Sequence, residues 1–121
     1  MAYELIKASG SKLSFGDFSL DRKTKQSGFE FGGDIYKVKT YKDITKLEKN
    51  ELFVYESVPG TSVTDFDLLD TSVGFTVHGA SDTQITLELE EEQEYEVFID
   101  GISTGSMKTN LGGKLIISVD L

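Results

Sequence analysis

The sequence predicts an all-β protein folded as a single antiparallel β-sandwich, with a barrel as the alternative way of closing the sheets. Two observations carry this. Apolar and polar residues alternate strictly in Val73-Gly74-Phe75-Thr76-Val77, Ile85-Thr86-Leu87-Glu88-Leu89 and Tyr95-Glu96-Val97-Phe98-Ile99, which places every second side chain on one face of a strand. Turn residues such as Gly79-Ala80-Ser81-Asp82 and Pro59-Gly60 punctuate the chain, at the spacing of roughly eight to twelve residues typical of sandwiches and barrels.

Taken in order, strands are predicted over residues 3–8, 13–20, 29–31, 34–41 and 52–56, separated by Ser9-Gly10-Ser11, Ser27-Gly28 and Gly32-Gly33. Gly16-Asp17 inside the second suggests a bulge. Residues 43–50 carry Ile44 and Leu47 three apart behind a possible Asp43 cap, so at most one short helix is expected there, with a strand lead-in as the competing reading. After the three alternating runs, Asp100-Gly101 suits the two positive φ angles of a type I′ hairpin. The last strand, 114–121, is nearly continuously apolar at Leu115, Ile116 and Ile117. It should be covered on both faces or flanked on both edges, because an exposed strand of that composition aggregates.

A chain of 121 residues matches one domain, 1–121, and buries roughly two-thirds of its surface on folding. Charge is unevenly spread: residues 1–60 carry ten Lys/Arg against nine Asp/Glu, a net of +1, and residues 61–121 carry two against twelve, a net of −10. The break falls at Pro59-Gly60, yet sixty residues of short strands would not cover two sheet faces in each half, so both halves share one core. The acidic half argues against nucleic acid and anionic membrane as partners. Lys37, Lys39, Lys42, Lys46 and Lys49, interleaved with Asp43 and Glu48, read as a solvated face. With no cysteine, disulfides, thiolate metal sites and thiol nucleophiles are ruled out, which fits a reducing compartment. The opening residues 1–7 lack the pattern of a signal peptide, so a cytoplasmic location is expected; an extracellular protein trimmed of its leader would read the same way.

The segment Leu87-Glu88-Leu89-Glu90-Glu91-Glu92-Gln93-Glu94-Tyr95-Glu96-Val97 resembles the E to F corner of immunoglobulin-like and fibronectin type III-like sandwiches. The resemblance implies a tyrosine corner, with the Tyr95 phenol bonded to upstream backbone. More broadly, residues 6–16 (IKASGSKLSFG), 53–61 (FVYESVPGT) and 107–115 (MKTNLGGKL) resemble a group of short bacterial proteins labelled endosialidase-like. That resemblance implies an all-β fold and an activity on glycans. A sialic-acid carboxylate is best held by several guanidinium groups, whereas this chain has one arginine, Arg22.

Candidate site residues are few. His78, the single histidine, ends a strand beside Gly79 and reads as a rim residue, since Ser81 and Asp82 are too near in sequence to build a catalytic relay with it. Asp65, Asp67 and Asp70 fall within six residues and could offer oxygen ligands to calcium, although the central glycine and final glutamate of an EF-hand loop are missing; an Asp-rich turn is the competing account. Glu88, Glu90, Glu91, Glu92, Glu94 and Glu96 fall on the solvent face once the strand period is applied, and no pair shows the desolvation that glycoside hydrolysis requires. Tyr36, Tyr41 and Tyr55 lie among polar neighbours and are candidates for a stacking platform for a sugar or peptide, with core packing as the alternative. Phe15, Phe18, Phe29, Phe31, Phe53, Phe66 and Phe75 suit a core. No cofactor is expected apart from the calcium option. A non-enzymatic binding or self-assembly module follows, with a protein partner or further copies of itself. A glycan-binding module or a small glycan-acting enzyme is the alternative.

Overall fold

The computed structural model describes residues 4–69 and 72–121. Twelve strands run in chain order: β1 (Ile6–Ser9), β2 (Lys12–Phe15), β3 (Thr24–Phe31), β4 (Asp34–Tyr41), β5 (Ile44–Lys49), β6 (Leu52–Val58), β7 (Ser62–Leu68), β8 (Val73–His78), β9 (Thr83–Glu88), β10 (Glu94–Ile99), β11 (Ile102–Lys108) and β12 (Lys114–Val119). They form a six-stranded sheet, β12-β9-β6-β5-β4-β3, a four-stranded sheet, β1-β2-β7-β8, and a separate hairpin, β10-β11. Every pairing is antiparallel. Neither large sheet closes on itself, so the architecture is a sandwich and not a barrel.

An aromatic cluster joins the sheets. Tyr55 of β6 is fully buried and meets Phe15 of β2 at 5.3 Å, Phe75 of β8 at 5.6 Å and Phe66 of β7 at 6.2 Å between ring centroids, all nearly edge-to-face. That geometry matches the ring quadrupoles and adds to the area buried. Val38, Leu47, Ile85, Leu87 and Leu115 extend the core beneath the large sheet.

A second buried feature is polar. Thr45 Oγ1 donates to the Thr61 carbonyl at 2.7 Å and accepts the Thr61 N–H at 3.0 Å, so in its 2.7 Å bond with Thr40 Oγ1 the donor is Thr40. Thr40 in turn accepts the Asp17 N–H at 2.9 Å. Thr61 Oγ1 lies 2.8 Å from the Tyr55 hydroxyl and 2.7 Å from Ser57 Oγ. Among the described residues no buried side-chain polar atom lacks a partner, as such a set requires if it is not to cost stability.

Five expectations need correction. Residues 43–50 contain no helix: β5 spans Ile44–Lys49 with Thr45 and Leu47 turned inward, and the inward threonine disguised the two-residue period. The aspartate-rich segment 65–67 is not a turn but part of β7, and the bulge sits there, with Asp65 at φ 56° and the register shifting on both neighbouring strands. Ser27 and Gly28 do not end a strand; they bulge within β3. β12 is an edge strand pairing with β9; Leu115 is buried beneath the sheet and Ile116 faces outward, 48% exposed. At Gly16 strand β2 has already ended, and its N–H bonds Leu5 O at 2.9 Å.

Asp100 and Gly101 form the two-residue turn between Ile99 and Ile102 with φ of 53° and 77°, both positive as a type I′ turn requires. Asn50 and Glu51 make the β5–β6 turn likewise, at 52° and 70°. Asn50 is held by its side chain, which accepts the Ile35 N–H at 3.0 Å and donates to Asp34 Oδ1 at 2.8 Å.

Candidate functional site

The large sheet's outer face is set by register. Lys25 of β3 pairs with Lys39 of β4, and Lys39 pairs with Lys46 of β5, so three ammonium-bearing chains leave adjacent strands side by side, about 4.8 Å apart in backbone spacing. Directly opposed like charges destabilise a sheet. Lys37 lies two residues from Lys39 on the same face, and Glu56 follows Lys46 in the row. The Lys39 ammonium is lowered from the usual lysine range, first by partial burial and then by Lys23, Lys46 and Lys25, against a smaller opposing pull from Glu48. Among the described residues the one ion pair is Lys49 with Asp34 at 3.6 Å, so no described carboxylate neutralises the row by direct contact.

The acidic counterpart is the hairpin and its approach. Glu90, Glu91, Glu92, Glu94, Glu96 and Asp100 are all exposed. On β10 burial alternates, with Tyr95, Val97 and Ile99 facing the protein and Glu94, Glu96 and Phe98 facing away. The Tyr95 hydroxyl accepts the Glu90 N–H at 3.3 Å, the upstream backbone bond that a tyrosine corner makes. Thr109 latches the base of the hairpin: its hydroxyl donates to Glu90 O at 2.6 Å and accepts the Gln93 N–H at 2.9 Å, while its own N–H donates to Gln93 O at 2.9 Å. Thr109→Val keeps the volume and removes the hydroxyl bonds. We expect a loss of about 1–3 kcal/mol and faster limited proteolysis within 94–108; a cleavage rate equal to wild type would contradict the latch.

The remaining candidates are dispersed. Tyr55 is fully buried and Tyr36 is 8% exposed, both facing the core, while Tyr41 lies on the opposite face of β4 from Tyr36. The three therefore share no surface on which a sugar could stack. Burial, and secondarily Asp34, raises the Tyr36 phenol above its ordinary value. Asp65 is exposed and Asp67 half-buried; Asp70 lies outside the described residues, and among those described no three His, Cys, Asp or Glu side chains gather as a metal site. His78 is exposed at the end of β8, paired with Ser62. Phe53 faces outward beneath the Lys114 ammonium, 5.7 Å from its ring centroid.

Two cavities, of about 270 and 150 Å³, share Lys49 and Leu68 at one end of the sandwich; Leu69, Leu89 and Tyr95 line the first, Phe31 and Tyr36 the second. Each falls below the usual volume of a small-molecule site.

Lys25 belongs to the row only because of the β3 bulge. Without it the Gly32-Gly33 turn would set Lys25 opposite Thr40; the one-residue shift brings it opposite Lys39. The glycine at position 28, φ 72°, was the signal in the sequence that could have revealed this.

No protein family, curated protein or solved structure matches this chain.

Proposed function

We propose that the chain is a non-enzymatic binding module that engages an acidic protein surface through the outer face of the six-stranded sheet. The observation that carries this reading is the direct register of Lys25, Lys39 and Lys46. A row of like charges costs stability on its own, and an opposing anionic surface offsets that cost. The reading also draws on the carboxylates. No described Asp or Glu is buried, and a general acid working near neutral pH depends on desolvation to keep its proton.

The test exploits the net charge of −9. A protein of that charge should pass a sulfonate cation exchanger at pH 7 unless its cations are concentrated on one surface. We expect retention at low ionic strength, loss of retention in Lys25→Gln/Lys39→Gln/Lys46→Gln, and continued retention in a control with Lys7, Lys12 and Lys114 changed to Gln. Wild-type protein in the flow-through would overturn the reading.

A further inference from the structure

We propose that the partner is a second copy of this chain, with its β10 laid antiparallel across the exposed face of β4. This inference rests on the binding reading above and names the occupant of that face.

The two surfaces share a period. On β4 the outward residues Ile35, Lys37 and Lys39 follow one another at two-residue steps, and on β10 so do Phe98, Glu96 and Glu94. Both steps are about 6.8 Å, the repeat of an antiparallel strand. Run antiparallel, Phe98 meets Ile35, Glu96 meets Lys37 and Glu94 meets Lys39. Phe98 is 60% exposed and Ile35 53%, so the contact covers apolar surface at one end, beside Glu30. Glu96 then reaches Lys37, whose cross-strand neighbour is Glu48, and Glu94 reaches the Lys25-Lys39-Lys46 row, where the positive charge is concentrated. Lys25 and Lys46 flank Lys39 on the neighbouring strands and broaden the positive end. Glu90, Glu91 and Glu92 continue the negative tract beyond Glu94 on the incoming copy.

The hairpin is built to present this face. It forms a sheet of its own, its outer strand β11 is exposed at every residue, and the Glu96 carboxylate is oriented by Ser103 Oγ, which donates to it at 2.8 Å. Lys108 opposite Glu94 is the single cation on that hairpin face and leaves it acidic. Because the two surfaces differ, the contact is heterologous and propagates head to tail.

The experiment is sedimentation velocity on the full chain over a concentration series, at about 20 mM and about 500 mM salt, where screening is respectively weak and strong. Wild type should associate at low salt and dissociate at high salt. Lys37→Glu/Lys39→Glu and Glu94→Lys/Glu96→Lys should each weaken association about tenfold or more, and an equimolar mixture of the two should restore it, since each reversed surface then meets a complementary one. Circular dichroism and melting like those of wild type establish that both variants fold. A mixture that stays monomeric, or association unaffected by either charge reversal, overturns the proposal. Wild type that is retained on the exchanger yet monomeric throughout overturns it as well, while leaving the binding reading standing with another acidic partner; wild type absent from the exchanger removes both.

Discussion

Tyr55→Ala should destabilise the protein by about 3–5 kcal/mol, the range for removing a large buried aromatic side chain. The ring sits between the sheets, in edge contact with Phe15, Phe66 and Phe75, so its loss opens a cavity where the two halves of the chain meet. The substitution also takes the phenol from Thr61 Oγ1. For a domain with a total stability of roughly 5–15 kcal/mol, the melting temperature should fall by roughly 10–25 °C; a fall below about 3 °C would contradict the placement of the ring. Tyr55→Phe keeps the packing and loses only the hydroxyl, for about 1–2 kcal/mol. The two variants also separate a pH effect. Burial raises the Tyr55 phenol above its ordinary value, while its bonds to Thr61 and Ser57 pull it down by less. The folded state therefore holds the phenolic proton more tightly than the unfolded state. That contribution is fully present below the ordinary tyrosine pKa of about 10 and is lost as pH rises through the folded value. Urea melts of wild type and Tyr55→Phe should accordingly converge as the pH is taken above about 10.

Gly113→Ala is the second large effect. Gly113 has φ 75°, and a Cβ added there would stand 2.1 Å from the Leu89 carbonyl oxygen, far inside any contact distance. The Gly113 carbonyl also accepts the Leu89 N–H at 2.7 Å, and the Gly113 N–H donates to Asn110 O at 3.0 Å. The backbone cannot shift to relieve the clash without releasing the end of β9 from the segment leading into β12. Left-handed strain alone accounts for about 1–2 kcal/mol, and the clash should take the total to about 3 kcal/mol or more. Gly101→Ala is the control. Its φ of 77° is similar, but an added Cβ would meet nothing within 4 Å, so it should lose about 1–2 kcal/mol. Equal losses in chemical denaturation would show that the close approach at Leu89 is not what requires glycine.

Strands with one face in the core were readable from the sequence. Asp34–Tyr41 is observed with the bounds expected, because Tyr36, Val38 and Thr40 point inward and Ile35, Lys37 and Lys39 outward. The Asp100-Gly101 turn was legible from the side-chain chemistry that positive φ demands. β11 was not, because all seven of its residues are exposed: with no buried face it has no period, and its pairing with β10 defines it. β7 was hidden by its bulge, which interrupts alternation at Asp65. The lysine face was half visible. Lys37, Lys39 and Lys46 are conspicuous along the chain, but interleaved acids made them resemble ordinary surface, and only strand register shows that they and Lys25 converge. Tyrosines 36 and 55 illustrate the converse, since polar neighbours in sequence did not mean a polar environment in space. Tyr55 satisfies its hydroxyl on Thr61 inside the core, which lets a phenol be buried at little cost.

The donor order running from Thr40 to Thr45 to the Thr61 carbonyl constrains how this sequence can drift. A single change to alanine or valine at 40, 45 or 61 leaves a neighbouring hydroxyl or amide without its mate in a place water does not reach, at a loss of about 1–3 kcal/mol. Exchanging these positions together for apolar side chains of matching shape removes the hydroxyls in pairs but leaves the buried Thr61 N–H and carbonyl without the Thr45 hydroxyl that serves them, so the loss persists. Related sequences should therefore keep a hydroxyl at 45, which serves the Thr61 main chain, and a side chain able to donate to it at 40, and their joint retention would mark descent with this fold even where the rest of the surface has been rewritten.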